Sequence, residues 1–273
     1  MEHKYSACII GTGRIGFTLG FDKKREQPAS HTMACLNNPH IRITCGCDRD
    51  PEALQKWKKY VDNHITQFSF NKKNKVKIFS DKQIDELFTT CNPDIVIIAV
   101  NENSHLETAL KVISKKPKLV VLEKPVALNS KEGMKIVKAA KTNKVPVLVN
   151  HERRFAEDYK LAKKYIKKIG SVQKINASLF SGMRLYDPKA EKSGGYSLLH
   201  DGTHLVDIVM YLLEALGDTK LKHPVITGLL KDENEKKVIR GFTANYSTKQ
   251  CPDISILMSG RSRYFGFEVD VIG

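Results

Sequence analysis

The 273-residue sequence predicts an α/β domain built on a doubly wound parallel sheet, followed by an α+β domain with a mostly antiparallel sheet. Three observations carry this expectation. Short apolar runs alternate with amphipathic helical stretches through the first half of the chain. One of those runs, Asp94–Val100 (DIVIIAV), is apolar beyond its first residue, as a parallel strand covered on both faces requires. Past the middle, the pattern changes to short alternating strands around one strongly apolar helix.

Taken in order, strands are expected at Tyr5–Ile10, Ile41–Cys47, Asp94–Val100, Leu119–Leu122 and Val145–Val149. Helices are expected between them at His31–Leu36, Ala53–Tyr60, Leu106–Ile113 and Lys131–Lys141. A lysine-rich helix over Tyr159–Lys168 then leads to a strand at Ser171–Phe180. The helix from Leu199 to Glu214 carries an apolar stripe at Leu205, Ile208, Val209, Leu212 and Leu213. Strands follow near Val225–Leu230, Arg240–Tyr246, Ile254–Ser259 and Gly266–Val271. The expected domains are 1–151, binding a dinucleotide, and 152–273, binding substrate and mediating oligomerisation. An incomplete sheet in the second would expose an edge and invite pairing, so a homo-oligomer is expected.

Composition narrows the class. Hydrophobic residues at 41% and charged residues at 27% exclude disordered and fibrous chains. No apolar run approaches the ~18–20 residues of a membrane helix, so no membrane partner is expected. The N-terminal Met1-Glu2-His3-Lys4 meets an apolar run broken by glycines, unlike a signal peptide. Six cysteines without small-domain spacing fit reduced thiols and a cytoplasmic location. Cys45 and Cys47 share one face of a strand, where buried thiols are expected rather than a metal, since no second cysteine pair accompanies them. The net charge of +15 comes from scattered lysine runs, such as Lys56, Lys58 and Lys59, or Lys163, Lys164, Lys167 and Lys168. These have the spacing of solvated faces and no interleaved aromatics, so no nucleic-acid partner is expected. The same charge is compatible with an anionic small substrate.

The first strand runs into Gly11-Thr12-Gly13-Arg14-Ile15-Gly16, a G-x-G-x-x-G followed by helical pattern. The first glycine permits the tight turn, the second lets backbone approach a pyrophosphate, and the third allows close helix–strand packing. Free N–H groups of the turn, Arg14 and Ile15 among them, would face the phosphates. Asp48, closing the second strand, is expected to hold the ribose hydroxyls of NAD, while Arg49 beside it leaves NADP open. Thirty-two residues separate Gly16 from Asp48, against about 20 in the usual fingerprint. The polar stretch Phe21–Ser30, with Lys23, Lys24 and Arg25, reads as a loop inserted ahead of the helix.

After the fourth strand, Glu123-Lys124-Pro125 resembles the motif of the Gfo/Idh/MocA (glucose–fructose oxidoreductase / inositol dehydrogenase) family. Three further segments resemble that family in order: Asn103-Ser104-His105-Leu106-Glu107, Asn150–Phe155, and the glycine-led stretch Gly194–Asp207. The resemblance spans Gly11 to Asp207 and implies a Rossmann domain, NAD(P) as cofactor, and oxidation or reduction of a sugar, cyclitol or related polyol. It implies Lys124 and His204 as the catalytic pair, a lysine base and a proton-relaying histidine. It also implies cofactor contacts from Val100, Asn101, His105 and Glu123, and substrate contacts from His200, Asp201 and Arg154. The chemistry agrees: hydride transfer from a carbinol needs a proton acceptor on the hydroxyl and a group to stabilise the oxyanion. Lys124-Pro125 is also a candidate cis peptide.

Two positions depart from the family pattern. Its relatives often carry an acidic residue four before the histidine, where this chain has His200, with Asp201 one step later. On an α-helix both would share a face with His204, and His200 is expected to contact substrate. His200 and His204 at i, i+4 could alternatively hold a metal, but no third ligand is evident and none is expected. Val100-Asn101 replaces the Thr-Pro of many relatives. The chain stops where relatives usually continue with further strands, so it reads as C-terminally short. The alternative to an enzyme is a non-catalytic NAD(P)- or sugar-sensing protein of the same fold.

Overall fold

The computed structural model describes residues 5–68, 75–182, 198–218, 224–232 and 239–273. It forms two compact units, Met1–Asn150 and His151–Gly273.

The first unit is a six-stranded sheet in the order β3-β2-β1-β4-β5-β6, made of β1 (Tyr5–Ile10), β2 (Ile41–Cys47), β3 (Lys77–Phe79), β4 (Ile95–Ile98), β5 (Leu119–Glu123) and β6 (Val147–Asn150). Every pairing is parallel. Helices α1 (His31–Leu36), α2 (Pro51–Phe68), α3 (Ile84–Cys91), α4 (His105–Ser114) and α5 (Ser130–Asn143) connect the strands. Because successive strand residues point to opposite faces, each strand feeds two cores. Cys8 and Ile10 of β1 join Cys45, Cys47, Val96, Ile98, Val120 and Leu122 on one face. Ala7 and Ile9 join Ile43, Ile97 and the fully buried Trp57 on the other. Gly46 makes room for that tryptophan, since a Cβ there would fall 2.3 Å from the indole ring.

Two elements of this unit, β3 and α3, were not expected from the sequence. A three-residue strand beginning with lysine offers no period to read. The helical pattern of Ile84–Cys91 is short, and its buried Ile84, Leu87 and Phe88 cover the outer strands. The inserted loop is accommodated by splitting a helix. After Gly16 the chain makes only a turn and a 3₁₀ segment, Thr18–Phe21, and the glycine turn does not open a helix directly. Helix α1 begins at His31, whose backbone N–H donates to Ile15 O at 3.1 Å, while Thr32 N donates to Gly16 O at 3.0 Å. The helix thus resumes on the carbonyls of the glycine turn, and the loop bulges from its first turn.

The second unit carries a five-stranded sheet, β11-β7-β10-β9-β8 in order, comprising β7 (Lys174–Gly182), β8 (Val225–Lys231), β9 (Ile239–Tyr246), β10 (Asp253–Ser262) and β11 (Gly266–Ile272). Only the β7–β10 pairing is parallel. Helix α6 (Glu157–Tyr165) precedes the sheet, and α7 (Thr203–Leu213) packs Leu205, Ile208, Val209 and Leu212 on Ile175, Ala177, Leu179, Ile254 and Ile256. The expected α-helix from Leu199 is corrected at its start. Leu198–Gly202 is a π-helical turn that runs into α7. At its end Gly202 lies against the sheet, where an added Cβ would come within 2.7 Å of Met258 Sδ. The glycines Gly194 and Gly195 lie outside the described residues.

Candidate active-site residues

In the first unit, the expected cofactor residues converge on the carboxyl edge of the parallel sheet, on both sides of the β1–β4 junction where strand order reverses. The glycine turn is built for close approach. Gly11 has φ +96°, and a Cβ there would lie 2.5 Å from the Ala99 carbonyl. A Cβ on Gly16 would lie 1.9 Å from Gly11 O. Gly13 differs: it is exposed, and no atom lies within 4 Å of its would-be Cβ. The backbone there faces open space, as a pyrophosphate contact requires. Arg14 is exposed and Ile15 half-buried beside it.

Asp48 follows β2 as expected, but most of its carboxylate is already engaged. Oδ2 accepts from Thr12 N at 2.5 Å and from Thr12 Oγ1 at 2.9 Å, and Oδ1 accepts from Asp50 N at 3.0 Å. Asp48 therefore braces the glycine turn. An open pocket of about 320 Å³ adjoins it, lined by Asp48, Arg49, Leu54, Phe79, Ser80 and Gln83. Ser80 and Gln83 are polar groups that strand patterning alone did not single out.

Val100 is half-buried and Asn101 exposed, just beyond β4. His105, the first residue of α4, is buried and directs both ring nitrogens at backbone: Nδ1 lies 2.6 Å from Pro125 O and Nε2 lies 3.0 Å from Val100 O. Glu123, at the end of β5, is buried as well. Its Oε1 accepts from His31 Nε2 and from Asn150 Nδ2, each at 2.7 Å. Burial alone would push this carboxyl up. The His31 hydrogen bond and charge, the Asn150 bond and the neighbouring Lys124 outweigh it and hold Glu123 below the usual carboxylate range. Lys124 follows, half-buried, with the Lys124-Pro125 peptide cis. His31 and Asn150 carried no role in the sequence analysis; the available signals were a polar residue opening α1 and, for Asn150, its place at the end of β6 and the head of the Asn150–Phe155 segment.

In the second unit, His204 lies on the first turn of α7, buried at 9% side-chain exposure. Its Nε2 is 3.6 Å from Glu152 Oε1, and its ring meets that of His151 edge-on at 5.8 Å. His151 Nδ1 is 3.9 Å from Asp207 Oδ2. Arg154 does not present an open fork. Its Nε and Nη2 donate to the two oxygens of Asp207 at 2.7 and 2.8 Å, and Nη1 donates to Glu214 Oε1 at 3.0 Å. Lys163 holds the other Glu214 oxygen at 2.8 Å. His200 and Asp201 lie on the π turn, with His200 Nδ1 at 3.5 Å from Asp201 Oδ1 and Asp201 the less exposed of the two. The π turn changes the register expected for His200, because i, i+4 stacking belongs to the α-helix.

The model of an oxidoreductase family with an NAD-binding Rossmann fold, GFO_IDH_MocA, matches residues 6–151. The scyllo-inositol 2-dehydrogenase (NADP(+)) IolU of Bacillus subtilis is 31% identical over 159 residues, which are 55% of this chain and 47% of that protein. The 2,7-anhydro-N-acetylneuraminate hydratase of Escherichia coli is 30% identical over 194 residues, 68% of this chain and 47% of that one. The chain thus spans under half the length of these curated relatives. Among solved structures, the WlbA dehydrogenase of Bordetella pertussis in complex with NADH and UDP-GlcNAcA superposes with a TM-score of 0.75 at 18% identity, over 100% of this chain and 72% of that one. A dehydrogenase from Chromobacterium violaceum reaches a TM-score of 0.76 at 17% identity, over 99% and 70%. At these identities the likeness establishes the fold.

Proposed function

The chain belongs to the Gfo/Idh/MocA oxidoreductase family, with its NAD-binding Rossmann fold, and from that premise we propose that it transfers a hydride between NAD(P) and a secondary carbinol or ketone of a sugar, cyclitol or related polyol. The observation that carries this reading is Glu123-Lys124-Pro125 at the carboxyl end of β5, with Glu123 buried in a hydrogen-bonded pair and Lys124 beside it. The names of two relatives support the substrate class: one is a scyllo-inositol dehydrogenase, and one structure holds NADH with a nucleotide sugar acid.

The residues present fit a dinucleotide. The open backbone at Gly13 would take the pyrophosphate, and the pocket between Asp48, Arg49, Ser80 and Gln83 would take the adenosine end. The nicotinamide, when bound, supplies the hydride acceptor or donor. In this reading Lys124 accepts the hydroxyl proton during oxidation and faces the oxyanion as an ammonium during reduction. His204 relays the proton, and Glu152 and His151 orient its ring. His200 and Asp201 read the substrate's hydroxyl pattern. Arg154, already held by Asp207 and Glu214, braces α7 rather than binding substrate.

A homo-oligomer remains part of the proposal. Among the described residues β8 is an edge strand, and it exposes Val225, Ile226, Leu229 and Leu230, apolar groups that a second copy could cover. Sedimentation should return a species heavier than 30.8 kDa. The test of function is a turnover screen with NAD and NADP against cyclitols, sugars and nucleotide sugars. Turnover abolished by Lys124→Ala supports an enzyme. Tight NAD(P) binding with no turnover on any member supports a non-catalytic sensor instead.

A further inference from the structure

Three consecutive residues, Glu123, Lys124 and Pro125, are gripped from three other elements of the first unit. His31 opens α1 and donates to the Glu123 carboxylate from one direction, and Asn150 at the end of β6 donates to the same oxygen. His105 opens α4 and bonds the Pro125 carbonyl, while its second nitrogen meets the carbonyl of Val100 beyond β4. All four contacts are between 2.6 and 3.0 Å, and His105 and Glu123 are buried.

We propose that His31 and His105 are positioning residues: together they clamp the Glu123–Pro125 turn on both flanks and so fix the direction in which Lys124 projects. The inference rests on the reading of Lys124 as the proton acceptor, since a clamp matters most for a group that must meet a substrate atom.

The physical case begins with cost. Burying a carboxylate costs several kcal/mol unless it is paired and hydrogen-bonded, and an apolar residue at Glu123 would pack without that penalty. What the pairing provides is direction. A carboxylate held by two donors from separate elements has little freedom to rotate, and the backbone it terminates shares that restraint. On the other flank a carbonyl bonded to a buried imidazole keeps the turn from tilting. Between these two fixed points lies Lys124, whose own side chain has four rotatable carbons and no rigid fork. Proton transfer demands hydrogen-bond reach, and a displacement of about 1 Å costs on the order of 100-fold in rate. Neither histidine needs to touch substrate or cofactor for this.

The test uses the full chain carrying [ε-¹³C]lysine, with the Lys124 resonance assigned by its loss in Lys124→Arg. The wild type should give a Lys124 signal displaced from the envelope of exposed lysines. In His31→Ala and in His105→Ala that signal should move into the envelope. In a turnover assay the same variants should lose about 10- to 100-fold in kcat, with KM and the Kd for NADH changing less than about 3-fold. His31→Gln retains an amide donor toward Glu123 and should restore part of the displacement and of kcat. Should His31→Ala fail to fold, Glu123→Gln serves in its place, weakening that flank while preserving shape. Should His105→Ala fail to fold, His105→Asn, whose shorter side chain loosens the bond to the Pro125 carbonyl, serves in its place, and either should move the signal likewise. A Lys124 resonance unmoved in folded variants overturns the clamp, whatever the activity. A moved resonance with Lys124→Ala still turning over leaves the clamp standing and removes the catalytic reading.

Discussion

Lys124 and His204 are the two groups proposed to move a proton, yet the surroundings that hold them are built on different principles. Glu123, next to Lys124, is held by contacts of 2.7 Å to His31 and Asn150, which belong to α1 and β6 of the parallel-sheet unit. His204 has looser neighbours: Glu152 at 3.6 Å with 59% of that side chain exposed, and His200 and Asp201 on a π turn at 3.5 Å from each other. The short bonds of its region belong to Arg154, which anchors Asp207 of the same helix. Short buried bonds fix geometry, whereas long, partly solvated ion pairs adjust at little cost. The parallel-sheet region is therefore suited to chemistry that never varies, and the π turn to contacts that differ with substrate.

The largest expected difference between the two regions lies in kcat. Lys124→Ala should reduce it by about 10³-fold or more, with the Kd for NADH unchanged, in the range that loss of a general acid–base brings. His204→Asn should cost about 10²-fold, and Glu152→Gln less than about 10-fold, because an exposed carboxylate 3.6 Å away orients the ring weakly. His200→Ala should chiefly raise KM or change substrate preference. Steady-state kinetics on the first substrate the screen returns would decide the order. Equal losses at Lys124 and His200 would place the π-turn histidine in the proton path and dissolve the contrast.

A second pair of substitutions separates folding from binding within the parallel-sheet region. Gly16→Ala places a methyl 1.9 Å from Gly11 O, a backbone clash that no rotamer relieves. It should destabilise the first unit by about 2–4 kcal/mol, judged by urea unfolding. Gly13→Ala meets nothing within 4 Å, so unfolding should stay within about 0.5 kcal/mol of wild type. Its NADH affinity should nonetheless fall about 10-fold or more, because the methyl occupies the space a pyrophosphate would enter. Wild-type NADH affinity in Gly13→Ala would show that the dinucleotide approaches elsewhere.

How much of this was legible beforehand follows from sequence distance. The glycine turn, the strands that feed it and the apolar stripe of α7 are local patterns, repeating within a few residues, and they read directly. The short β3 has no period, and its existence depends on β2 offering an edge. At the end of the π turn before α7, Gly202 lies against Met258, a neighbour fifty-six positions away that no helical pattern encodes. The grip on Glu123 joins residues 92 and 27 positions away. Glu123 could be singled out by its motif, but its partners became visible only once the strand order placed α1 and β6 around it. Asp48 is the reverse case. Its place after β2 was legible, whereas its use on Thr12 was not, because a carboxylate's free oxygens cannot be counted from sequence.

In the second unit the bidentate pair of Arg154 with Asp207 is the anchor most worth breaking. The two side chains are 28% and 13% exposed, so the pair is partly shielded from water. Arg154→Ala would strand Asp207 and loosen Glu214, and should cost about 1–3 kcal/mol of stability. Asp207→Asn, which keeps one acceptor, should cost less. A loss below 0.5 kcal/mol in thermal unfolding would mean that solvent already satisfies the pair.

The smallest effect concerns acid. Asp94 ties the start of β4 to β1: its Oδ2 accepts from Ser6 N at 2.9 Å and from Ser6 Oγ at 2.7 Å, and Oδ1 meets Lys118 at 2.8 Å. The Lys118 contact, then the Ser6 bonds, hold its carboxyl down at about 2. An unfolded aspartate titrates near ~3.9, so between those values the unfolded chain binds more protons than the folded one. The stabilisation is therefore fully present above about pH 4 and is lost as pH falls towards 2. Glu214 of the second unit is likewise held low, against the opposing effect of its burial, by Lys163 and Arg154, so its contribution is also lost on acidification. Asp94→Asn should lower the unfolding midpoint at pH 6 by a few degrees and flatten its decline between pH 4 and 2.5. Lys118 is exposed, so added salt should weaken part of this difference while leaving the Ser6 bonds. A decline as steep in Asp94→Asn as in the wild type would assign acid sensitivity to other carboxylates, with Glu123 the next to replace.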